Sequence, residues 1–224
     1  NGRRTLTYGV ARDADIRLTN LRASRDRIVF DAELGHAVKG GARKLEDLML
    51  AVPGHYNALN ALGALAAATE AGVSDDVIRK TLAAFLGVKR RFSRVGDWDG
   101  VSVYDDYAHH PVEIRAVLSA ARESVIGRVI AVVQPHRFTR LRDHMEDFQA
   151  AFNDAGMVYA APVYPAGEAA IAGVDSAALV EGIKARGHRS AHIIAGPEAL
   201  AEMLAETAEP GDMVVCLGAG DITK

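Results

Sequence analysis

The stretch VSVYDDYAHHPVEI, residues 101–114, decides how this chain is read. Val101 to Tyr104 is a short apolar run suited to a buried strand. Pro111 suits the first turn of a helix whose apolar stripe continues through Ile114, Val117, Leu118 and Ala121. Asp105, Asp106, Tyr107, His109 and His110 fill the turn between the two elements. The same alternation recurs downstream. Strand-like runs at Val129 to Val133, Met157 to Ala161, Ala191 to Ala195 and Met213 to Leu217 enclose three helical stripes. Those stripes are Leu141, Met145, Phe148 and Phe152; Leu179, Val180 and Ile183; and Leu200, Met203 and Leu204. Strands and helices taking turns predict an α/β fold: an open, mostly parallel sheet covered by helices on both faces, with ligands at the carboxyl ends of the strands.

Upstream the pattern differs. Residues 1 to 52 carry short strand-like runs, Leu6 to Val10, Ile16 to Leu18, Arg27 to Asp31 and Leu48 to Val52, separated by turn residues, and predict an antiparallel meander. Asn57 to Ala71 is Ala/Leu-rich with Leu59, Leu62, Leu65 and Ala66 on a helical spacing, and Ser74-Asp75-Asp76 caps a second helix from Val77 to Leu86. The period is then lost in a basic stretch, Lys89-Arg90-Arg91-Phe92-Ser93-Arg94, where a boundary is expected. The expected organisation is residues 1–88, a linker or hinge over 89–99, and a second domain over 100–224.

With 49% hydrophobic and 25% charged residues, the composition is that of a globular protein and not of a disordered, collagenous or coiled-coil chain. No apolar run approaches the roughly 20 residues that span a bilayer, and a net charge of −3 provides no overall basic field for nucleic acid. A single cysteine, Cys216, cannot form an internal disulfide, which fits a reducing compartment. The opening Asn1-Gly2-Arg3-Arg4 lacks Met and a secretory core, and the ending Ile222-Thr223-Lys224 follows directly on a strand and a glycine turn, so a piece of a longer chain is expected.

Four clusters can carry chemistry. The Asp105 to His110 turn offers acceptors for ribose hydroxyls and donors for phosphate or carboxylate, although the same residues also serve as turn caps and exposed polar groups. Gln134-Pro135-His136-Arg137-Phe138-Thr139-Arg140 places Arg137 and Arg140 three apart at a helix start. Cations are disfavoured at that end of the helix dipole, so an anion between them is expected. Asn57 and Asn60 match the donor and acceptor pair of an adenine edge, although an Asn at a helix start is more often its cap. Gly218-Ala219-Gly220-Asp221 is a turn that either admits a phosphate or simply turns. No GxxxxGK[ST], no strand-linked GxGxxG, no paired CxxC and no HExxH occurs, and no metal site is predicted.

At these residues the chain resembles the carboxy-terminal part of the Mur ligases. The matching stretches are VPGHYNALNAL (52–62), GVKRRF (87–92), YDDYAHHPVEI (104–114), VVQPHRFTRL (132–141), VYPAGEAAIAG (163–173) and LGAGDI (217–222), in family order. Tyr56 departs from the usual histidine, with His55 one place earlier, and Phe138 replaces a commoner tyrosine. The resemblance implies a Rossmann-like carboxy-terminal domain preceded by the strand-rich and helical tail of a central ATPase domain. It implies an ATP-driven peptidoglycan ligase that joins L-alanine to UDP-N-acetylmuramate through an acyl phosphate. ATP and magnesium would be held mainly by groups outside this chain, leaving it inactive alone, and the partners are small molecules, with no nucleic acid and no membrane. It further implies nucleotide contacts at Asn57, Asn60, Arg91 and Asp106. Substrate contacts fall on Tyr107, His109, His136, Arg137 and Arg140, of which His109, Arg137 and Arg140 are catalytic. A murein-tripeptide branch of the family and a non-catalytic nucleotide-binding module are the competing readings.

Overall fold

The computed structural model describes residues 4–24 and 27–222, Pro197 by its backbone alone. The expectations on Asn1 to Arg3, Thr223 and Lys224 fall outside those residues. Two compact units form, Asn1–Gly87 and Val88–Lys224.

In the first unit a four-stranded sheet runs in the order β1 (Tyr8–Gly9), β2 (Ile16–Ala23), β3 (Ile28–Leu34) and β4 (Arg43–Leu50), followed by helices α1 (His55–Ala71) and α2 (Asp75–Ala84). β2, β3 and β4 make the expected meander, but β1 pairs parallel with β2 over two residues and departs from it. Asp15 secures that short strand by accepting from the Thr7 N–H and hydroxyl at 2.8 and 2.9 Å. Ile16, Ile28, Phe30 and Leu48 from the strands and Leu62 and Leu65 from α1 are the largest side chains of its core.

The second unit carries a six-stranded sheet made of β5 (Ser93–Trp98), β6 (Val101–Asp106), β7 (Val129–Val133), β8 (Met157–Ala160), β9 (Ala191–Ile193) and β10 (Met213–Leu217). Their spatial order is β5-β6-β10-β7-β8-β9, all parallel except β5. The helices are α3 (Pro111–Ser124), α4 (Phe138–Asp143), α5 (Met145–Gln149), α6 (Ser176–Ala185) and α7 (Leu200–Thr207). Every residue of β7 and β10 is buried, so both faces of the sheet are covered at its centre. On one face Ile130, Val132, Val214 and Cys216 pack with Met203 and Leu204 of α7. Burial pushes the Cys216 thiol up to about 12, so it is an inert core group.

Two further differences from the sequence reading have physical causes. Ser93–Trp98, placed in the linker, is an antiparallel edge strand that leaves five of its six residues exposed, so no alternation marks it. Its hairpin turn is Asp99-Gly100, both at positive φ (47° and 83°), a strong two-residue turn signal between the runs. The stripe Leu141 to Phe152 is broken at His144 (φ −125°, ψ 22°) into α4 and α5. Finally β6 and β7 are not neighbours. β10 lies between them, so the glycine turn after β10 stands between the two polar loops.

Candidate functional site

The carboxyl ends of β6, β10 and β7 bring three loops of the second unit together, and each is fixed by a different device. After β6, the Asp106 carboxylate, 1% exposed, accepts the Phe92 N–H at 2.6 Å and the Ala108 N–H at 2.7 Å. It thereby ties the basic segment to the strand end. Burial raises its pKa to about 6 against the pull of those two N–H groups. Asp105 faces Arg90, whose Nε is 3.3 Å away, and Arg90 also donates to the Gly218 carbonyl at 2.6 Å. The guanidinium carbons of Arg90 and Arg91 lie 5.1 and 5.9 Å from the centre of the half-exposed Tyr107 ring. The basic segment is therefore part of the second unit's site.

Pro111 opens α3, and the Glu113 carboxylate accepts the His109 and His110 N–H groups at 3.1 and 3.2 Å. His109 Nδ1 sits 2.9 Å from the Tyr107 carbonyl. A carbonyl only accepts, so this nitrogen carries a proton, and in the neutral ring the lone pair lies on Nε2.

After β7 the tautomer is opposite. His136 Nδ1 is 3.3 Å from Arg140 Nη1, which only donates, so the His136 proton resides on Nε2. Burial first, and then Arg140, His109 and Arg137, hold the His136 pKa below its usual value, which keeps the ring neutral near pH 7. The rings of Tyr164, His136, His109 and Tyr107 follow one another at 5.3, 5.9 and 5.2 Å between centroids, a ladder across the strand ends. His110 instead packs against His144, 4.5 Å away, and burial with that neighbour lowers its pKa.

Arg137 is the helix-capping residue of α4 and adopts φ 74° and ψ 130°. A side chain in that region costs about 1–3 kcal/mol where glycine would cost nothing. The expected anion between the arginines has a partial internal counterpart, because Glu168 lies 3.8 Å from Arg137 Nη1. Arg140 turns back to donate to the His136 carbonyl at 3.0 Å. Arg137 itself is half exposed.

The glycine turn after β10 locks onto β7. The buried Gln134 amide donates to Asp221 Oδ1 at 2.8 Å and accepts the Asp221 N–H at 3.1 Å. A Cβ at Gly220 would collide with Gln134 Oε1 and the Tyr164 ring, so this turn closes on protein. In the first unit, Asn57 and Asn60 stand in the first turns of α1, which is capped by Gly54 and not by Asn57. The Asn57 amide donates to the Pro53 carbonyl at 2.6 Å, keeping its Oδ1 available, and Asn60 is exposed. The same unit has a surface depression of about 490 Å³ lined by Asn20, Leu21, Arg22, Asp31, Lys44, Glu46 and Asp47. Its charges neutralise one another: Asp31 and Glu46 pair with Lys44, and Arg22 with Asp47.

Residues 90–220 match the family described as Mur ligase, glutamate ligase domain. The chain belongs to the Mur ligase family. Among curated relatives, the UDP-N-acetylmuramate–L-alanine ligase of Novosphingobium aromaticivorans is 61% identical over 226 residues, covering 99% of this chain and 48% of that one. Among solved structures, UDP-N-acetylmuramate–alanine ligase MurC from Thermotoga maritima is similar with a TM-score of 0.77 and 28% identity, covering 97% of this chain and 45% of that one. The murein peptide ligase of Psychrobacter arcticus has a TM-score of 0.66 and 22% identity over 96% of this chain and 43% of its own, which bears on the fold alone. The chain thus spans about half the length of the curated relatives it matches.

Within this Mur ligase fold the second unit gathers Arg91, Asp106, Tyr107, His109, His136, Arg137 and Arg140 at one end of one sheet. Asn57 and Asn60 belong to the first unit. Sequence reading quoted the stretches that hold Arg90, Glu113, Gln134, Tyr164, Glu168 and Asp221 without giving any of the six a role of its own, and these residues touch the site residues or hold their loops. Only Glu113 had a local signal, three residues after the helix cap. Among the described residues no helix is long and apolar enough to cross a membrane, and no group of three or more His, Cys, Asp or Glu is placed to hold a metal ion.

Proposed function

We propose that this chain is the carboxy-terminal half of a cytoplasmic, ATP-dependent ligase that joins L-alanine to the muramoyl carboxylate of UDP-N-acetylmuramate. On this reading the first unit, Asn1–Gly87, is the tail of the central ATPase domain and the second unit, Val88–Lys224, is the carboxy-terminal Rossmann-like domain, which takes in the basic stretch expected to be a hinge. The observation that carries the reading is 61% identity over 99% of the chain to an L-alanine ligase. Three curated relatives, 61%, 53% and 57% identical over 99% of the chain, are all L-alanine ligases, which favours alanine over a tripeptide as acceptor.

ATP with magnesium supplies the phosphoryl group that activates the carboxylate for attack by the amine, and this chain's residues position and neutralise. Arg137 is half exposed with donors to spare, and Arg140 stands beside it, an arrangement suited to a carboxylate or phosphate. His109 Nε2 is the acceptor suited to a proton from an attacking amine, while His136 Nε2–H donates. The residues fit a nucleotide in part. Arg91 is an exposed cation stacked near Tyr107, and Asn57 and Asn60 retain amide acceptors and donors. Asp106 fits a ribose less directly, because each of its oxygens already accepts a backbone N–H.

The test is phosphate release by the protein expressed with any coding sequence preceding this chain, given ATP, magnesium and UDP-N-acetylmuramate, with and without L-alanine. Alanine-dependent release that this chain alone does not give is the expected result. Preference for a tripeptide would transfer the protein to the murein-recycling branch, and absence of release would favour a binding module.

A further inference from the structure

The segment after β8 grips the loop that carries Arg137. The Tyr164 N–H donates to the Pro135 carbonyl and the Arg137 N–H to the Tyr164 carbonyl, each at 2.8 Å, while the Tyr164 ring lies nearly parallel to His136 at 13°. Four residues on, Glu168 Oε2 accepts the Thr139 N–H at 2.9 Å and Oε1 accepts the Thr139 hydroxyl at 2.7 Å. Oε1 also faces Arg137 Nη1 at 3.8 Å. We infer that Glu168 is a positioning residue, one that orients the Arg137 guanidinium by its charge and holds the start of α4 through Thr139.

Two observations carry this. Arg137 sits at φ 74°, a backbone state that a bulky residue keeps only where its surroundings over-determine it, and the Tyr164 to Glu168 segment supplies those surroundings. The second is the unequal use of the carboxylate. Both oxygens are engaged by Thr139, and the guanidinium stands beyond hydrogen-bond reach, so Glu168 attracts Arg137 without consuming its donors. Those donors stay available to an anionic substrate. The Thr139 N–H, then its hydroxyl, hold the Glu168 carboxyl below the usual range, so the orienting charge is present at neutral pH. The chemistry served rests on the ligase reading, whereas the geometry stands without it.

The experiment compares Glu168→Gln with Glu168→Ala. Glutamine keeps an oxygen for Thr139 and loses the charge on Arg137, while alanine loses both. In the protein with its preceding coding sequence, Glu168→Gln is expected to melt with the wild type. Its kcat/KM for the amino-acid acceptor should fall about tenfold with the KM for ATP unchanged. In this chain alone, the Arg137 Nε–H signal in a nitrogen–proton spectrum, identified by its loss in Arg137→Lys, should move in Glu168→Gln. A signal that stays in place overturns the inference, and so does a moved signal with wild-type kinetics in an active protein. If the wild type shows no alanine-dependent turnover the ligase reading fails, and the Arg137 signal alone then decides on Glu168.

Discussion

The loops after β6 and β7 present neighbouring parts of one site, yet they are built on opposite principles. The β6 loop is anchored mainly from within: Asp106 takes the Ala108 N–H, Glu113 caps α3, and Pro111 starts the helix in its own preferred conformation, with Arg90 and Phe92 of the preceding segment as its outside ties. The β7 loop is anchored from outside, by Tyr164 and Glu168 from one neighbour and Asp221 from another, and it holds Arg137 against its backbone preference. Local anchoring yields a stable turn. Remote anchoring permits a strained one, and strain retained at an exposed arginine is what a binding function would keep.

The sharpest way to break this contrast is Arg137→Gly beside Arg137→Ala. Both remove the guanidinium, and on the proposed ligase reading each is expected to lower alanine-dependent phosphate release about 100-fold in the protein with its preceding coding sequence. Only glycine relieves the backbone at φ 74°. In thermal or denaturant unfolding the glycine variant should therefore exceed the alanine variant by about 1 kcal/mol or more. Equal stabilities would mean that the β7 loop stores no strain and that the two loops are alike.

On the β6 side the largest effect falls on Asp106. Replacing it with alanine orphans the Phe92 and Ala108 N–H groups and should destabilise the second unit by about 2 kcal/mol at pH 7. The loss grows on acidification. The folded carboxyl titrates at about 6 against 3.8 when unfolded, so the native state holds the proton in that window and the unfolded state does not. Its contribution is fullest below pH 4 and declines by about 3 kcal/mol as pH rises through 6. The difference in stability between wild type and Asp106→Ala should widen from pH 7 to pH 4, and a carbon-13 titration of the Asp106 carboxyl should centre near 6. A midpoint near 4 would show that burial does not dominate this tether.

The same contrast explains what the sequence made legible. The alternating strands and helices of the second unit, Pro111 and the two polar loops could be read because their signals are local. Arg137 and Arg140 were found by type and spacing, but Tyr164, Glu168 and Asp221 lie 27, 31 and 84 residues after Arg137, and nothing in their own neighbourhoods marks them as its supports. The placing of β10 between β6 and β7 was illegible for the same reason, since strand order is a long-range property. The edge strand Ser93–Trp98 failed differently: a strand that buries almost nothing has no period, and only Asp99-Gly100 announced it.

The smallest effect belongs to the most local device. Glu113 accepts the His109 and His110 N–H groups at the start of α3, and with its side chain about a third exposed, water can replace part of what it provides. Glu113→Ala should cost about 1 kcal/mol in unfolding experiments, the scale of a helix cap. Glu113→Gln should cost less, because an amide oxygen still accepts, while losing the attraction to the positive end of the helix. Turnover should fall far less in either variant than in Arg137→Gly, because Pro111 and Asp106 continue to hold the loop. A loss of turnover as large as that of Arg137→Gly would show that His109 depends on Glu113 as Arg137 depends on Glu168, and the β6 loop would then be remotely as well as locally tuned, through the 3.7 Å approach of Glu113 to His109 Nδ1.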